Sequence, residues 1–219
     1  MVASEQAAQG AKRSYRSLVR QEGALDTRRR IAAAAQDLFE EFGFSGTTVA
    51  NIATRAGVAV PTVYSTFGSK SAIVSALLSQ MEHDADSASW ARRIAQETDP
   101  RRKLAVFAQW TTGLFSSSKA IIRAVHGAAA DPAINELHEQ GNRNRRDGLS
   151  AVISSLGQDN SLLTGLSEEL ALDRAWMLTG VELYLSATEG CRWTDIEYQQ
   201  WLTTLLQQQL LDNKRPTSP

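Results

Sequence analysis

Apolar residues recur every three or four positions through most of this chain, which is the spacing of one face of an α-helix. The first stripe comprises Ile31, Ala35, Leu38 and Phe42. A helix that starts near Asp26, which can accept hydrogen bonds from first-turn amides, and ends at Gly43 would bury it. No stretch keeps the period-two, β-branched pattern of a strand. The pattern therefore predicts an all-α protein.

Three shorter helices are predicted next, over about 48–57, 60–67 and 69–83. Thr48 and Ser69 stand where a side-chain oxygen can cap a helix, and Gly57 can end the first of the three. Pro61 is tolerated because it falls in the first turn of its helix. Two short helices joined at a glycine are the pattern of a helix-turn-helix.

Clusters of Pro, Gly and polar residues divide the second half of the chain. The predicted helices there lie at about 101–115, 119–129, 132–156, 167–189 and 195–211. The domain organisation that follows is a flexible basic arm (1–25), an N-terminal three-helix domain that holds the helix-turn-helix (26–70), a larger C-terminal helical domain (71–213) and a disordered tail (214–219).

Charge is distributed unevenly between the two halves. Residues 1–80 contain nine Lys and Arg against six Asp and Glu, whereas residues 81–219 contain fourteen against eighteen. A basic front favours contact with a polyanion. The single cysteine, Cys191, suits a reducing compartment, and no apolar run is long enough to span a membrane. With no signal-peptide pattern at the start, we expect a cytoplasmic protein without a membrane partner.

The predicted helix-turn-helix exposes an unusual surface. Its two helices can bury Val49, Ile52 and Ala53, then Val63 and Phe67. The second helix then exposes Pro61, Thr62, Tyr64, Ser65 and Thr66. It carries no charged residue between Val58 and Gly68, although surface helices usually do. Small neutral groups let a helix enter a DNA major groove about 12 Å wide.

The run from Phe44 to Lys70 resembles the DNA-binding signature of the tetracycline-repressor-like (TetR) family, approximately T-V-x-x-I-A-x-x-A-G-V-S-x-x-T-x-Y-x-x-F-x-S-K. The strong resemblance covers about residues 27–78. It implies that Thr48, Tyr64 and Lys70 contact phosphates, that Thr62 lies near base edges, and that Val60 and Pro61 touch thymine methyls, with Ser65 on the same face. Ala59 stands where Ser is usual and Val60 where Lys is frequent, so fewer charged side chains face the DNA.

The resemblance implies a ligand-responsive regulator, a repressor that binds a palindromic DNA operator as a homodimer and is released by a small-molecule effector. The dimer would form through the two C-terminal helices, and ligand entry between the helices at about 101–156 would shift the 69–83 helix. No enzyme, cofactor or metal is expected, because His83, His126 and His138 lack metal-ligand spacing and no phosphate loop is present. An all-helical interaction module and a small helical enzyme without DNA binding are the alternatives.

Candidate effector-binding residues lie in the second half. Aromatic side chains on the predicted helices suit a pocket for an apolar or planar ligand: Phe107, Trp110, Phe115, Trp176 and Tyr184. His126 lies on an Ala-rich helix between them. Asn144 and Arg145 interrupt the apolar stripe of the 132–156 helix and can receive a polar or anionic group. Ordinary core packing, a solvated basic face and a dimer contact are the alternatives for these residues.

Overall fold

The computed structural model describes residues 2–84, 86–126, 128 and 131–212, without the side chains of residues 2–20, 82, 84, 120, 124 and 126. It divides into two compact units, residues 1–77 and 78–219. The helices are α1 (Val2–Gly46), α2 (Val49–Ala56), α3 (Val60–Phe67), α4 (Lys70–Asp84), α5 (Ser87–Gln96), α6 (Pro100–Ser117), α7 (Lys119–His126), α8 (Pro132–Gln158), α9 (Glu168–Leu178), α10 (Val181–Leu185) and α11 (Asp195–Leu210). A π-helical turn, Ser186–Gly190, follows α10. The predicted all-α class is confirmed.

The first unit packs α1 against α2, and α2 against α3. Its core consists of apolar side chains, among them Ile31, Leu38, Phe39, Ile52, Val63 and Ile73. The predicted burial of Phe42 is wrong: this side chain lies just before the break at Gly43 and is 52% exposed. The predicted break at Gly43 is present, because this glycine has φ 68° and interrupts the helical geometry. The hydroxyl of buried Thr47 donates to the carbonyls of Leu38 and Gly43, which satisfies two acceptors near this helix end.

The start of α1 differs from the sequence-based expectation. The helix begins at Val2, so the segment expected to be a flexible arm is helical, and Asp26 lies inside the helix rather than at its N-cap. Residues 2–25 contain five Ala, three Gln and three Arg and no proline. Such residues propagate a helix at little cost once the turns after them are anchored by packing.

The second unit differs from the sequence-based prediction in two places. Helix α5 was not predicted, because its apolar stripe is thin and only Ile94 is buried. The single helix expected over 167–189 is instead α9, α10 and the π-helical turn. It breaks after Leu178, where Gly180 adopts an extended conformation with ψ 143°. Isolated glycines are tolerated inside helices, so Gly180 alone did not mark this break in the sequence.

The core of the second unit lies among α6, α8, α9 and α11. Its fully buried side chains include Leu104, Leu149, Ile153, Leu156, Tyr198 and Leu202. Side-chain caps define most of these helices: Asp99 starts α6, Asp131 starts α8, Ser167 starts α9, and Thr194 forms a capping box with Glu197 at α11. None of the described helices is both long enough and apolar enough to cross a membrane.

Candidate functional site

The turn between α2 and α3 has the geometry of a helix-turn-helix. Thr48 caps α2 as predicted, since its Oγ1 accepts a hydrogen bond from the Asn51 amide at 3.1 Å. Gly57 ends α2 in the left-handed conformation, with φ 65° and ψ 40°. Arg30 reaches this turn from α1 and donates from Nη2 to the carbonyls of Ala56 and Gly57. The angle between the two short helices is therefore held by a glycine and by a guanidinium.

The predicted face of α3 is at the surface of the first unit. Only Val63 of this helix is buried, and Tyr64 is 52% exposed. The exposed residues of the helix are Val60, Pro61, Tyr64 and Ser65, with Thr62 partly buried beside them. The Thr62 carbonyl accepts hydrogen bonds from the hydroxyls of Ser65 and Thr66, at 3.1 and 2.7 Å. The face is thus neutral, accessible and uniformly helical.

One arginine and one lysine side chain connect α3 and α4 to the rest of the first unit through hydrogen bonds and a ring contact. Arg28 lies over the Phe67 ring, 4.2 Å from its centroid, and donates to the Thr66 carbonyl. The Lys70 ammonium donates to the carbonyls of Phe44 and Thr47, at 2.7 and 2.8 Å. Lys70 therefore binds carbonyls at the end of α1, a role the resemblance did not imply. Its phosphate contact stays a prediction.

Replacing Gly57 with alanine should destabilise the first unit by about 2 kcal/mol. Left-handed backbone costs a non-glycine residue roughly 1–2 kcal/mol, and a Cβ at this position would lie 3.0 Å from Arg30 Nη2, which holds the turn. Urea unfolding of Gly57→Ala measures this loss. Gly23→Ala is the control, because Gly23 is helical and an added Cβ meets nothing within 4 Å. An equal effect of the two substitutions would contradict the role of Gly57.

The second unit contains a cavity of about 200 Å³ between α5, α6 and α8. Two of the predicted effector-binding residues, Phe107 and Trp110, line it from α6. Further apolar lining comes from Ala91, Ile94 and Ala95 of α5 and from Ala151 and Val152 of α8. The sequence could not predict this cavity as a whole, because α5, one of its three walls, was not predicted.

Phe115 and Tyr184 lie in the core of the second unit rather than at this cavity. Their ring centroids are 5.4 Å apart, and Tyr184 meets Tyr198 edge-on at 5.2 Å. The Tyr184 hydroxyl donates to Asp195 Oδ1 at 2.8 Å. Burial raises the pKa of Tyr184 above its ordinary value, and the hydrogen bond to Asp195 adds to the effect. The contacts of these two aromatic residues are those of core packing.

Arg145 and Trp176 form a separate cluster between α8 and α9. The Arg145 guanidinium lies 3.5 Å from the Trp176 ring centroid and donates to the Trp176 carbonyl and the Thr179 hydroxyl, at 2.9 and 3.3 Å. Burial lowers the pKa of Arg145, and the charge of Glu182 opposes that shift. Asn144 is exposed on α8. None of these three lines the cavity, and the side chain of His126 lies outside the described residues.

Comparisons with known proteins find a family match within the first unit and a shared fold that extends over the second. Residues 31–77 match the family model of bacterial regulatory proteins of the tetR family. No match is found among curated proteins. Among solved structures, the SmeT–triclosan complex has a TM-score of 0.70 at 18% identity and covers 88% of this chain and 96% of its own.

Two further structures share the fold. The fatty acid degradation regulator FadR from Bacillus halodurans has a TM-score of 0.68 at 17% identity, covering 82% of this chain and 94% of its own. A transcriptional regulator from Aquifex aeolicus has a TM-score of 0.63 at 14% identity, covering 83% and 98%. The family match covers the helix-turn-helix, and the structural similarity extends the same fold over the C-terminal helices.

Proposed function

We propose that this chain is a repressor of the TetR type, whose family model matches residues 31–77, and that a small molecule controls its DNA affinity. In this proposal it binds a palindromic operator as a homodimer and leaves it when an effector occupies the second unit. The observation that carries the proposal is the neutral, exposed face of α3 beyond the Gly57 turn. Such a face is accessible to solvent and suits insertion into a major groove.

The contacts with DNA divide into two sets. Thr62, with Val60 and Pro61 at the start of α3, is assigned to base edges and thymine methyls, because the N-terminal part of a recognition helix enters the groove. Thr48, Tyr64 and Lys70 are assigned to phosphates, and Ser65 to the same exposed face. Phosphate contacts set the position of the protein, whereas the base contacts select the sequence.

A homodimer is proposed through the C-terminal helices. Leu170 and Met177 are seven residues apart on α9 and so share a face, and they are 47% and 65% exposed. Ile196, at the start of α11, is 68% exposed. Apolar side chains this exposed on adjacent helices favour a buried partner surface. A two-fold axis would set two α3 helices about 34 Å apart, which matches one turn of DNA.

Met177→Glu should weaken dimerisation by about a hundredfold or more. An unpaired carboxylate buried at a two-fold interface costs several kcal/mol, and symmetry introduces it twice. Size-exclusion chromatography with light scattering, over a dilution series, measures the change. Gln140→Glu adds the same charge at an exposed position of α8 and should leave the dimer intact. A dimer that survives Met177→Glu unchanged would place the interface elsewhere.

The cavity between α5, α6 and α8 is the proposed effector site. SmeT, which shares this fold, has been solved with triclosan, and Phe107 and Trp110 supply the aromatic surface that an apolar ligand needs. Helix α4 begins at Lys70 beside α3 and continues past the division at Leu77. A ligand that binds the two states of the protein unequally would shift α4 and change the spacing of the α3 helices.

Selection from a random library of DNA duplexes tests the proposed function directly. We expect enrichment of a two-fold-symmetric sequence, with affinity that falls steeply as salt rises. Addition of effector candidates to the selected duplex should then release the protein. If the intact chain binds no duplex at low salt, or binds all duplexes alike, the proposed repressor function is wrong.

A further inference from the structure

A lysine lies buried in the wall of the effector cavity. Lys103 is one helical turn before Phe107 on α6 and is only 2% exposed. Its ammonium donates to the hydroxyl of Ser155, which reaches it from α8. The nearest described carboxylate oxygen, Asp159 Oδ2, is 3.8 Å away, and the Asp159 side chain is 55% exposed. The cavity wall therefore holds a positive charge whose described partners are a neutral hydroxyl and a solvent-exposed carboxylate at 3.8 Å.

Burial of this ammonium costs free energy of folding, and the cost is retained only if the charge serves a function. A buried ammonium is stable only when its charge is paired and its three N–H groups are satisfied. Leucine or methionine at position 103 would continue the apolar stripe of α6 without that cost. Trp110 lines the same cavity, and its indole Nε1 is buried without a hydrogen-bond partner among the described residues. The Lys103 ammonium has N–H groups beyond the one it donates to Ser155, and an anionic acceptor in the cavity would pair its charge more closely than the exposed Asp159 does.

We propose that the effector is a small organic carboxylate, bound with its charged group at Lys103 and its apolar body against Phe107. This inference rests on the proposed role of the cavity as the effector site. The remaining lining is mostly apolar, with two serines, and a volume of about 200 Å³ is comparable to cavities of roughly 150 Å³ that accept a single aromatic ring. A single-ring acid or a short-chain acid fits this space. A cationic ligand would place a second positive charge beside Lys103.

Two series of compounds with matched shapes test the charge preference. The first is phenylacetate, phenylacetamide and 2-phenylethylammonium, and the second is hexanoate and hexanamide, each titrated calorimetrically into the full-length protein. We expect one acid to bind at least about tenfold tighter than its amide, because a hydrogen bond to a charged partner contributes more than a neutral one. The ammonium compound should not bind. If neither acid binds, or if an acid and its amide bind alike, the proposal is overturned.

Lys103→Met removes the charge while nearly conserving side-chain volume, so the fold should persist. The variant should lose the preference for acid over amide and bind the two compounds equally. Arg102→Met is the matched control, because Arg102 directly precedes Lys103 on α6 but is exposed and does not line the cavity. It should keep the preference. An unchanged preference in Lys103→Met would overturn the assignment of the anion to this lysine.

The same proteins separate this inference from the proposed repressor function. If the chain binds its selected duplex but only neutral or cationic compounds release it, the result supports the repressor function and contradicts the carboxylate site. If the acid binds in a Lys103-dependent manner while affinity for the duplex stays constant, the result supports the carboxylate site and contradicts effector-controlled repression. Fluorescence anisotropy of the labelled duplex, with and without acid, distinguishes the two results.

Discussion

Tyr64→Ala should weaken binding of the operator by roughly a hundredfold, with almost no change in the stability of the protein. The proposed contact is a hydrogen bond from the tyrosine hydroxyl to a phosphate, and hydrogen bonds to charged groups contribute about 1.5–3 kcal/mol each. A dimer loses two of them, and the lower end of that range gives a loss of about 3 kcal/mol, close to a hundredfold in Kd. Because the side chain is 52% exposed, its removal should leave the thermal midpoint nearly unchanged.

The pattern of the loss distinguishes a phosphate contact from a base contact. Tyr64→Ala should weaken all duplexes by a similar factor, and the dependence on salt should stay the same because a neutral hydroxyl releases no counterion. Thr62→Ala should instead reduce the preference for the selected sequence. Tyr64→Phe separates the hydroxyl from the ring and should behave like the alanine variant. Anisotropy titrations that show wild-type affinity for Tyr64→Phe would refute the proposed hydrogen bond.

The helix-turn-helix could be predicted from the sequence because its determinants are local. Thr48 caps the helix that follows it, Gly57 supplies the one backbone conformation that the turn requires, and Pro61 stands in the first turn of α3. Each of these effects acts within four residues along the chain. Interactions over so short a distance along the chain can be predicted without knowledge of the tertiary structure.

The effector cavity could be predicted only in part, because its walls come from distant segments. Phe107 and Trp110 were singled out as aromatic residues on a helix, yet nothing local separates them from Phe115, which packs in the core one or two turns later. The third wall, α5, buries a single apolar side chain and so leaves almost no periodic signal. Lys103 carried a signal that was not used, since it extends the buried face of Phe107 by one turn.

The contacts of Arg145 likewise could not be predicted from the sequence, because its partners come from a distant segment. The polar stretch of α8 suggested that a side chain there faces the interior, and Arg145 does so. Its partners, Trp176 and Thr179, lie more than thirty residues farther along the chain. In a continuous helix the Trp176 carbonyl would accept from the amide of residue 180. Here α9 ends at Leu178, and the guanidinium binds that carbonyl instead.

Arg145→Ala should destabilise the second unit by about 3 kcal/mol. The substitution removes a charge-assisted hydrogen bond to the Trp176 carbonyl, worth roughly 1.5–3 kcal/mol, and a partly buried cation–π contact worth about 1–2 kcal/mol. Some of this loss is offset because a partly buried charge is also removed. Urea unfolding, followed by the fluorescence of tryptophan, measures the change.

Arg146→Ala is the matched control, because the two arginines are consecutive on α8 and differ in their surroundings. Arg146 is exposed and pairs with Asp173 at 3.2 Å, and both side chains are about half exposed. An ion pair of this kind contributes at most about 1 kcal/mol, so the loss should be several times smaller than for Arg145→Ala. Equal losses would mean that the stacked guanidinium does not hold α9 to α8. An Arg145→Ala variant of wild-type stability that no longer responds to the effector would instead support the original prediction that this residue binds the ligand.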